Sequence, residues 1–421
     1  MTLSKLLVDA SLLKTNPDFR RVLIARTISL LGLGLLSVAV PVQVYDLTGS
    51  SVLVGLAVAC DGVGMFLGLL LGGVLADRQD RRRLILVARS LCGLGFLGLA
   101  ANGLLPAPSL AAIYALSLWD GFFGAIGVNA LMAAMPHLVG RANLMQARAL
   151  GMLTMRFATI LSPALGGIVI ASAGVGWAYL GTAVGTGLTV LTLLGLPRMM
   201  PEAADAAETG NPFRMMAQAF AFLAGHRVIL GVVALGGLTT LTTGIRVLFP
   251  ALALEVYGGG PFEVGLMYSA VPLGATLGAA LSGWATRVER PGLTMAGACM
   301  GAFACVAVMG AVHSLFLALP ALVLFGYATS TASLLEYTMV QGHTPDHLLG
   351  RVNSLWTVQE VFGDSVGTIG VGLLAKLLTP ASGILLFGLS ALALSAAVTA
   401  FATTMRRAPM SDPALAEGAG P

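Results

Sequence analysis

Charge is scarce in this chain. Only 10% of its 421 residues are Asp, Glu, Lys or Arg, while 57% are hydrophobic. A soluble protein of this length needs far more charge to cover its surface, so an ordinary water-soluble fold is excluded. The short alternating segments that build a membrane β-barrel are lacking as well. Cysteine is sparse. Cys60, Cys92, Cys299 and Cys305 lie inside apolar runs without metal-ligand spacing, which predicts buried reduced thiols and no metal site. No Ser-His-Asp set, His-Glu-x-x-His motif or catalytically spaced carboxylate cluster occurs. The chain therefore reads as a non-enzyme that needs no cofactor. Residues 1–20 include Lys5, Asp9, Lys14, Asp18 and Arg20 and have no apolar core of a cleavable signal peptide, so the first span is expected to serve as the insertion signal.

Long apolar runs fill the rest, and the mean hydropathy is +0.90. Each run of about 20 residues or more can cross a bilayer core as a helix. Spans are expected at roughly 22–45, 51–76, 84–105, 109–135, 145–173, 177–196, 228–256, 263–285, 293–312, 315–340, 353–378 and 381–404. The fold class is an all-α polytopic membrane protein of about twelve helices. Basic residues gather on one side: Lys5, Lys14, Arg20 and Arg21, the cluster at 78–83, Arg141, Arg198, Arg214, Arg227, Arg287, Arg290, Arg351, Arg406 and Arg407. The opposite connections carry no Lys or Arg. By the positive-inside rule both termini are expected in the cytoplasm. Because the basic residues track topology, they predict contacts with lipid headgroups and no nucleic acid partner.

One long polar break, 197–226, divides the chain. Residues 1–196 and 227–405 each hold six expected spans, and 406–421 form a tail. Within the break, 213–223 reads as a short amphipathic helix at the membrane surface. The halves echo each other at an offset of 210 residues: Val54-Gly55-Leu56 and Val264-Gly265-Leu266, Gly64 and Gly274, Leu67-Gly68 and Leu277-Gly278, Gly73 and Gly283. Gly140-Arg141-Ala142-Asn143 likewise matches Gly350-Arg351-Val352-Asn353. Five matches in one register indicate a duplicated six-span unit.

The loop Gly73-Val74-Leu75-Ala76-Asp77-Arg78-Gln79-Asp80-Arg81-Arg82-Arg83 follows the second span. It resembles the signature loop of the major facilitator superfamily of transporters. Gly73 is expected to permit close helix approach. Asp77, with Arg78 and Arg81, is assigned by the resemblance to a cytoplasmic gate, with the eleventh span, expected to start near Asn353, as its counterpart. Its repeat mate is Arg287, so one loop keeps the carboxylate. The alternative for the arginines is simple topology enforcement. Ser162-Pro163-Ala164-Leu165-Gly166-Gly167 is similar to the end of an antiporter motif, and Pro163 should kink span five.

Ionisable residues within spans cost at least about 2.5–3.5 kcal/mol each on insertion scales, so they usually face a cavity or a partner. Arg26, Asp120, Arg156, Arg246, Glu336 and Asp364 are the candidates for the substrate cavity or proton coupling, with Asp61 and Glu360 beside them. Asp120, Glu336 and Asp364 could each carry a proton. Pairing of Asp120 with Arg26 or Arg156 is the structural alternative. Nearby aromatics, with the arginines, suit a bulky, aromatic, weakly acidic ligand.

A narrower resemblance covers nearly the whole chain. Ser11-Leu12-Leu13-Lys14-Thr15, Val38-Ala39-Val40-Pro41-Val42-Gln43, Leu118-Trp119-Asp120-Gly121-Phe122-Phe123, Arg246-Val247-Leu248 and Leu355-Trp356-Thr357 are similar to the bacterial enterobactin exporters of that superfamily. The resemblance implies a carrier in the bacterial inner membrane that exports a catecholate siderophore to the periplasm. It also implies proton drive and an outer-membrane efflux channel downstream. The alternative is a broader drug or metabolite efflux carrier.

Overall fold

The helices start and stop where the chain can satisfy their exposed backbone groups. The computed structural model describes residues 11–200, 221–223 and 225–412. After the short α1 (Ser11–Thr15), Asn16 caps α2 (Pro17–Thr48): its Oδ1 accepts from the Phe19 N–H at 2.9 Å, and Pro17 supplies a preset φ. Gly49 ends α2 at φ 60°, a left-handed conformation that favours glycine, and its N–H returns to the Tyr45 carbonyl. The first unit continues with α3 (Ser51–Arg78), α4 (Arg81–Gly103), α5 (Leu110–Val139), α6 (Leu144–Ala173) and α7 (Val175–Leu193).

The second set begins with α8 (Arg227–Thr242) and proceeds through α9 (Pro261–Ala280), α10 (Pro291–Ala311), α11 (Leu315–Gly342), α12 (Asp346–Leu377), α13 (Pro380–Phe401) and the short α14 (Thr403–Arg407). Nine helices among the described residues are long and apolar enough to cross a membrane. Helices also occupy the other three expected spans, at Val175–Leu193, Pro261–Ala280 and Asp346–Leu377. There is no strand among the described residues. The amphipathic helix expected at 213–223 and the acidic residues Glu202, Asp205 and Glu208 lie outside the described residues, apart from 221–223. Lys5, Asp9 and 413–421 of the tail also lie outside them.

Contacts divide the chain into two compact units, Met1–Ala207 with Gly259–Ser269, and Glu208–Gly258 with Ala270–Pro421. The first part of α9 thus belongs with the first unit. There the Ala164 N–H, one residue past Pro163, donates to Ser269 Oγ at 3.0 Å. Gly167 lies against Gly265, so a Cβ on either glycine would crowd the other's backbone.

Each unit contains the same close helix crossing. Gly64 and Gly68 of α3 lie against the Leu118 and Phe122 carbonyls of α5, and Gly121 of α5 lies against the Asp61 carbonyl. In the other unit Gly274 and Gly278 of α9 meet the Val323 and Tyr327 carbonyls of α11, and Gly326 meets the Val271 carbonyl. Backbones come this near only where side chains are missing, so dispersion and weak Cα–H contacts replace side-chain packing.

The seventh span is helical but irregular. Beyond α8 it runs through a 3-10 stretch (Thr243–Leu248), one α turn (Phe249–Ala251) and a π turn (Leu252–Val256). Thr239, Thr240, Thr242 and Thr243 turn their hydroxyls onto carbonyls three or four residues back, which weakens the regular ladder. Pro250 then removes a backbone donor.

At the end of the second unit, the C-terminal segment folds back. Met405 is fully buried beside Gly231 and Gly292, and the Asp412 N–H donates to the Gly342 carbonyl at 2.9 Å. His226 caps α8 with its Nδ1, which accepts from the Ile229 N–H at 3.4 Å, and its ring lies 5.8 Å from His343. Burial, then the neighbouring His343, pushes His226 below the usual imidazole value, against the opposing pull of Asp412. The folded state therefore holds fewer protons here than the unfolded chain. This contribution to stability is complete above the unfolded value and is lost as pH falls through the lower folded one. An imidazolium also cannot accept at Nδ1. Hydrogen exchange at 227–231, corrected for intrinsic rates, should rise as pH drops from about 7.5 to 5.5. His226→Asn, which can cap without titrating, should flatten that dependence.

Candidate functional site

The signature loop is pinned by residues other than the carboxylate that drew attention to it. Asp77 and Arg78 are exposed in the last turn of α3. Asp80 does the local structural work: its Oδ1 accepts from the Arg82 N–H, capping α4, and from the Met199 N–H, both at 3.0 Å. The Arg81 N–H reaches the Met199 carbonyl at 3.1 Å, and its guanidinium reaches the Ala76 carbonyl at 3.4 Å. Arg82 donates to the Leu194 carbonyl at 2.6 Å, just past α7, where a cation complements the exposed carbonyls of a helix C-terminus. Arg82 is thus more than a topology signal.

Two expectations about this loop need correction. A Cβ at Gly73 would meet no atom within 4 Å; the close approach falls one residue earlier, where Gly72 abuts Ile126. The helix that holds the eleventh span starts earlier than Asn353. Pro345, fixed at φ −59°, initiates α12 at Asp346, and Asn353 lies two turns inside it.

The charges along the helices of the first unit separate into two groups. Asp120 on α5 shares a hydrogen bond with Cys92 on α4, and Asp61 on α3 is close enough for its charge to act on Asp120. The expected ion pair of Asp120 with Arg26 or Arg156 does not form among the described residues. Arg89, on α4, is instead the cation nearest in effect to Asp120. The second group surrounds a cavity of about 620 Å³, within the usual range of small-molecule sites. Arg26 of α2, Arg89 of α4 and Arg148 of α6 line it. Arg89 donates to Ser29 Oγ at 3.0 Å. Gly151 clears space for the Arg26 guanidinium, and Gly127 lies beside that of Arg89. Arg156 is half-buried on α6 but is not part of this wall.

In the second unit, Glu336 of α11 is 5% exposed and its carboxylate lies over Gly236 of α8. The Trp356 side chain hydrogen-bonds it, Glu360 acts on it electrostatically, and its Oε1 has no partner among the described residues. Trp356 also faces Tyr337 with ring centroids 5.2 Å apart. Asp364 of α12 accepts from the Thr243 hydroxyl at the start of the 3-10 stretch. Arg246 is exposed on that same stretch. A buried carboxylate with an unsatisfied oxygen is costly, and Glu336 carries that cost here.

Arg89 and Arg148 do not stand out in the sequence as cavity residues. Arg89 follows the apolar run at 84–88, so its depth in the third span was the available signal. A long arginine that near a span's end can also snorkel to the interface, which blurs it.

A repeated bundle of membrane-crossing helices, with arginines around a cavity and carboxylates held between helices, defines a multi-pass carrier of solutes. The chain belongs to the Major Facilitator Superfamily, whose model matches residues 22–368. It is 47% identical over 413 residues to the enterobactin exporter EntS of Salmonella paratyphi A, covering 96% of this chain and 98% of that one. The corresponding exporter of Citrobacter koseri is 48% identical over 374 residues, 89% of each chain. Among solved structures, the nucleoside transporter NupG aligns with a TM-score of 0.73 at 14% identity, covering 91% of this chain and 99% of that one. A POT family transporter aligns with a TM-score of 0.72 at 11% identity, over 93% and 97% of the two chains. These structural likenesses establish the fold alone.

Proposed function

We propose that this protein exports a catecholate siderophore of the enterobactin kind from the cytoplasm to the periplasm by alternating access, driven by inward proton flow. The observation that carries the reading is 47% identity, over 96% of the chain, to a protein named for enterobactin export. The arginine-lined cavity is consistent with a weakly acidic aromatic cargo. The carrier sits in the bacterial inner membrane with both termini cytoplasmic, its arginines meeting lipid headgroups, and hands cargo to an outer-membrane channel. Its functional halves are 1–196 and 227–405, joined by 197–226, with 406–421 as a cytoplasmic tail. Asp77, with Gly73, Arg78 and Arg81, controls the cytoplasmic gate. Asp120, Glu336 and Asp364 are the alternative sites of proton coupling, and Arg26, Arg156 and Arg246 join them as residues of the cargo path or the coupling.

Deleting the gene should abolish or sharply reduce siderophore in the medium of iron-starved cells while it accumulates inside, as measured by mass spectrometry. Unchanged secretion would refute the assignment. A broader efflux role is favoured by the methionines of the cavity, since flexible thioether side chains adapt to varied ligands. Uptake of a panel of amphipathic compounds into everted vesicles separates the two readings.

A further inference from the structure

The cavity of the first unit combines arginines, unpaired among the described residues, with a methionine wall, a more specific composition than a general attraction for acidic cargo requires. Its cationic part consists of Arg26, Arg89 and Arg148, contributed by three helices. No carboxylate forms an ion pair with any of them among the described residues, although Asp120 lies within the field of Arg89. Arg26 and Arg89 repel each other, and both are half-buried. Like charges gathered in one partly buried place are expensive unless an anion joins them. The remaining wall is soft. Met132 and Met135 come from α5, and Met152 and Met155 from α6. Thioether sulfur makes favourable contacts with aromatic rings, worth about 0.3–1.5 kcal/mol each.

We propose that this cavity is a subsite for a single ionised catechol ring, in which Arg26 and Arg89 hold the vicinal oxygens and the four methionines clasp the ring. A planar guanidinium presents paired donors that match two adjacent oxygens, which a lysine cannot do. Ser29 steadies the Arg89 side chain from behind. Gly151 leaves room on α6 for the Arg26 guanidinium, which a Cβ there would press at 3.3 Å. Arg148 is exposed and stands with Leu144 and Pro136, where α5 gives way to α6, so it marks the mouth. That mouth opens at the end of the unit that carries the Arg81–Arg82–Arg83 cluster, the loading side for an exporter. The subsite binds one arm of a larger cargo and sets specificity by ring charge. This proposal rests on the siderophore reading.

The test uses the purified full-length carrier in detergent, with metal-free enterobactin as ligand and its catechol O-methylated form as the uncharged comparison. Wild type should bind the methylated form at least about tenfold more weakly, the size expected for losing a charge-assisted contact. Arg26→Gln and Arg89→Gln should each weaken enterobactin binding by about tenfold or more and leave the methylated form unaffected. Arg89→Lys, which keeps the charge and loses the fork, should fall between. Met152→Ala should weaken both ligands by a similar, smaller factor. Lys376→Gln, outside the cavity, is the control. If wild type binds enterobactin and both Gln variants bind it equally well, the subsite is refuted while the export reading stands. Should Arg89→Gln fail to fold, Arg89→Lys with unaltered selectivity between the two ligands refutes it equally. Wild type that neither binds nor transports enterobactin overturns the export reading itself.

Discussion

Gly274→Leu is expected to yield almost no correctly folded carrier, and Gly64→Leu should do the same from the other unit. A Cβ at Gly274 would overlap the Val323 carbonyl oxygen, and one at Gly64 the Leu118 carbonyl oxygen. Overpacking against side chains costs about 1–3 kcal/mol because they can move aside. A backbone carbonyl within a helix cannot. The two helices must separate, taking with them the reciprocal contacts at Gly326 and Gly121. A loss above about 4 kcal/mol is the expected scale, a large share of the 5–15 kcal/mol typical of folded proteins. Fluorescence-detected size exclusion should show aggregate in place of a single peak. Gly297→Ala, where a Cβ meets nothing within 4 Å, should keep the peak and leave the melting temperature unchanged or slightly higher. A monodisperse, wild-type-like Gly274→Leu protein would show that the crossing is not essential.

Asp77→Asn should reduce export at least about tenfold without lowering abundance, the mark of an interaction used only in part of a transport cycle. Asp80→Ala should behave in the opposite way. It removes the cap of α4 and the acceptor for the Met199 N–H, so it should cost about 1–2 kcal/mol in stability and lower the melting temperature. Its export, normalised to folded protein, should fall less than that of Asp77→Asn. The comparison needs quantitative blots, thermal unfolding and secretion assays on the same strains. Normal export by Asp77→Asn removes that residue from the gate.

Much of the fold was legible because spans follow from hydropathy and the duplication from recurring glycines. Gly64 with Gly274, and Gly68 with Gly278, keep the offset of 210, and both pairs prove to be backbone contacts. Their reciprocal partners were not legible, because Gly121 and Gly326 are 205 apart. The helix Arg81–Gly103 has 23 residues against 21 in Pro291–Ala311, and the connection at 104–109 is longer than that at 312–314; together these shift the register within the repeat. Asp346 as the start of α12 was missed because His343-Thr344-Pro345 reads as a polar break while the apolar run begins later. Asp77 was prominent in sequence because a motif surrounds it. Asp80 was not, since a cap is recognised by the hydrogen bonds it accepts. The charges were visible and their grouping was not: neighbourhood across α2, α4 and α6 is a property of packing.

The paired glycine crossings also date events in the history of the gene. Both halves hold the same three-glycine lock, at 64, 68 and 121 and at 274, 278 and 326. Independent invention of matching locks is less economical than inheritance from one ancestor. The crossing therefore existed in a six-helix forebear before the gene doubled. The five-residue slip between its strands of descent came afterwards, two residues in the helix before the connector and three in the connector itself. Selection since then has been free to diverge the charges, leaving Asp61 in one copy and Val271 in the other at the same place in the lock.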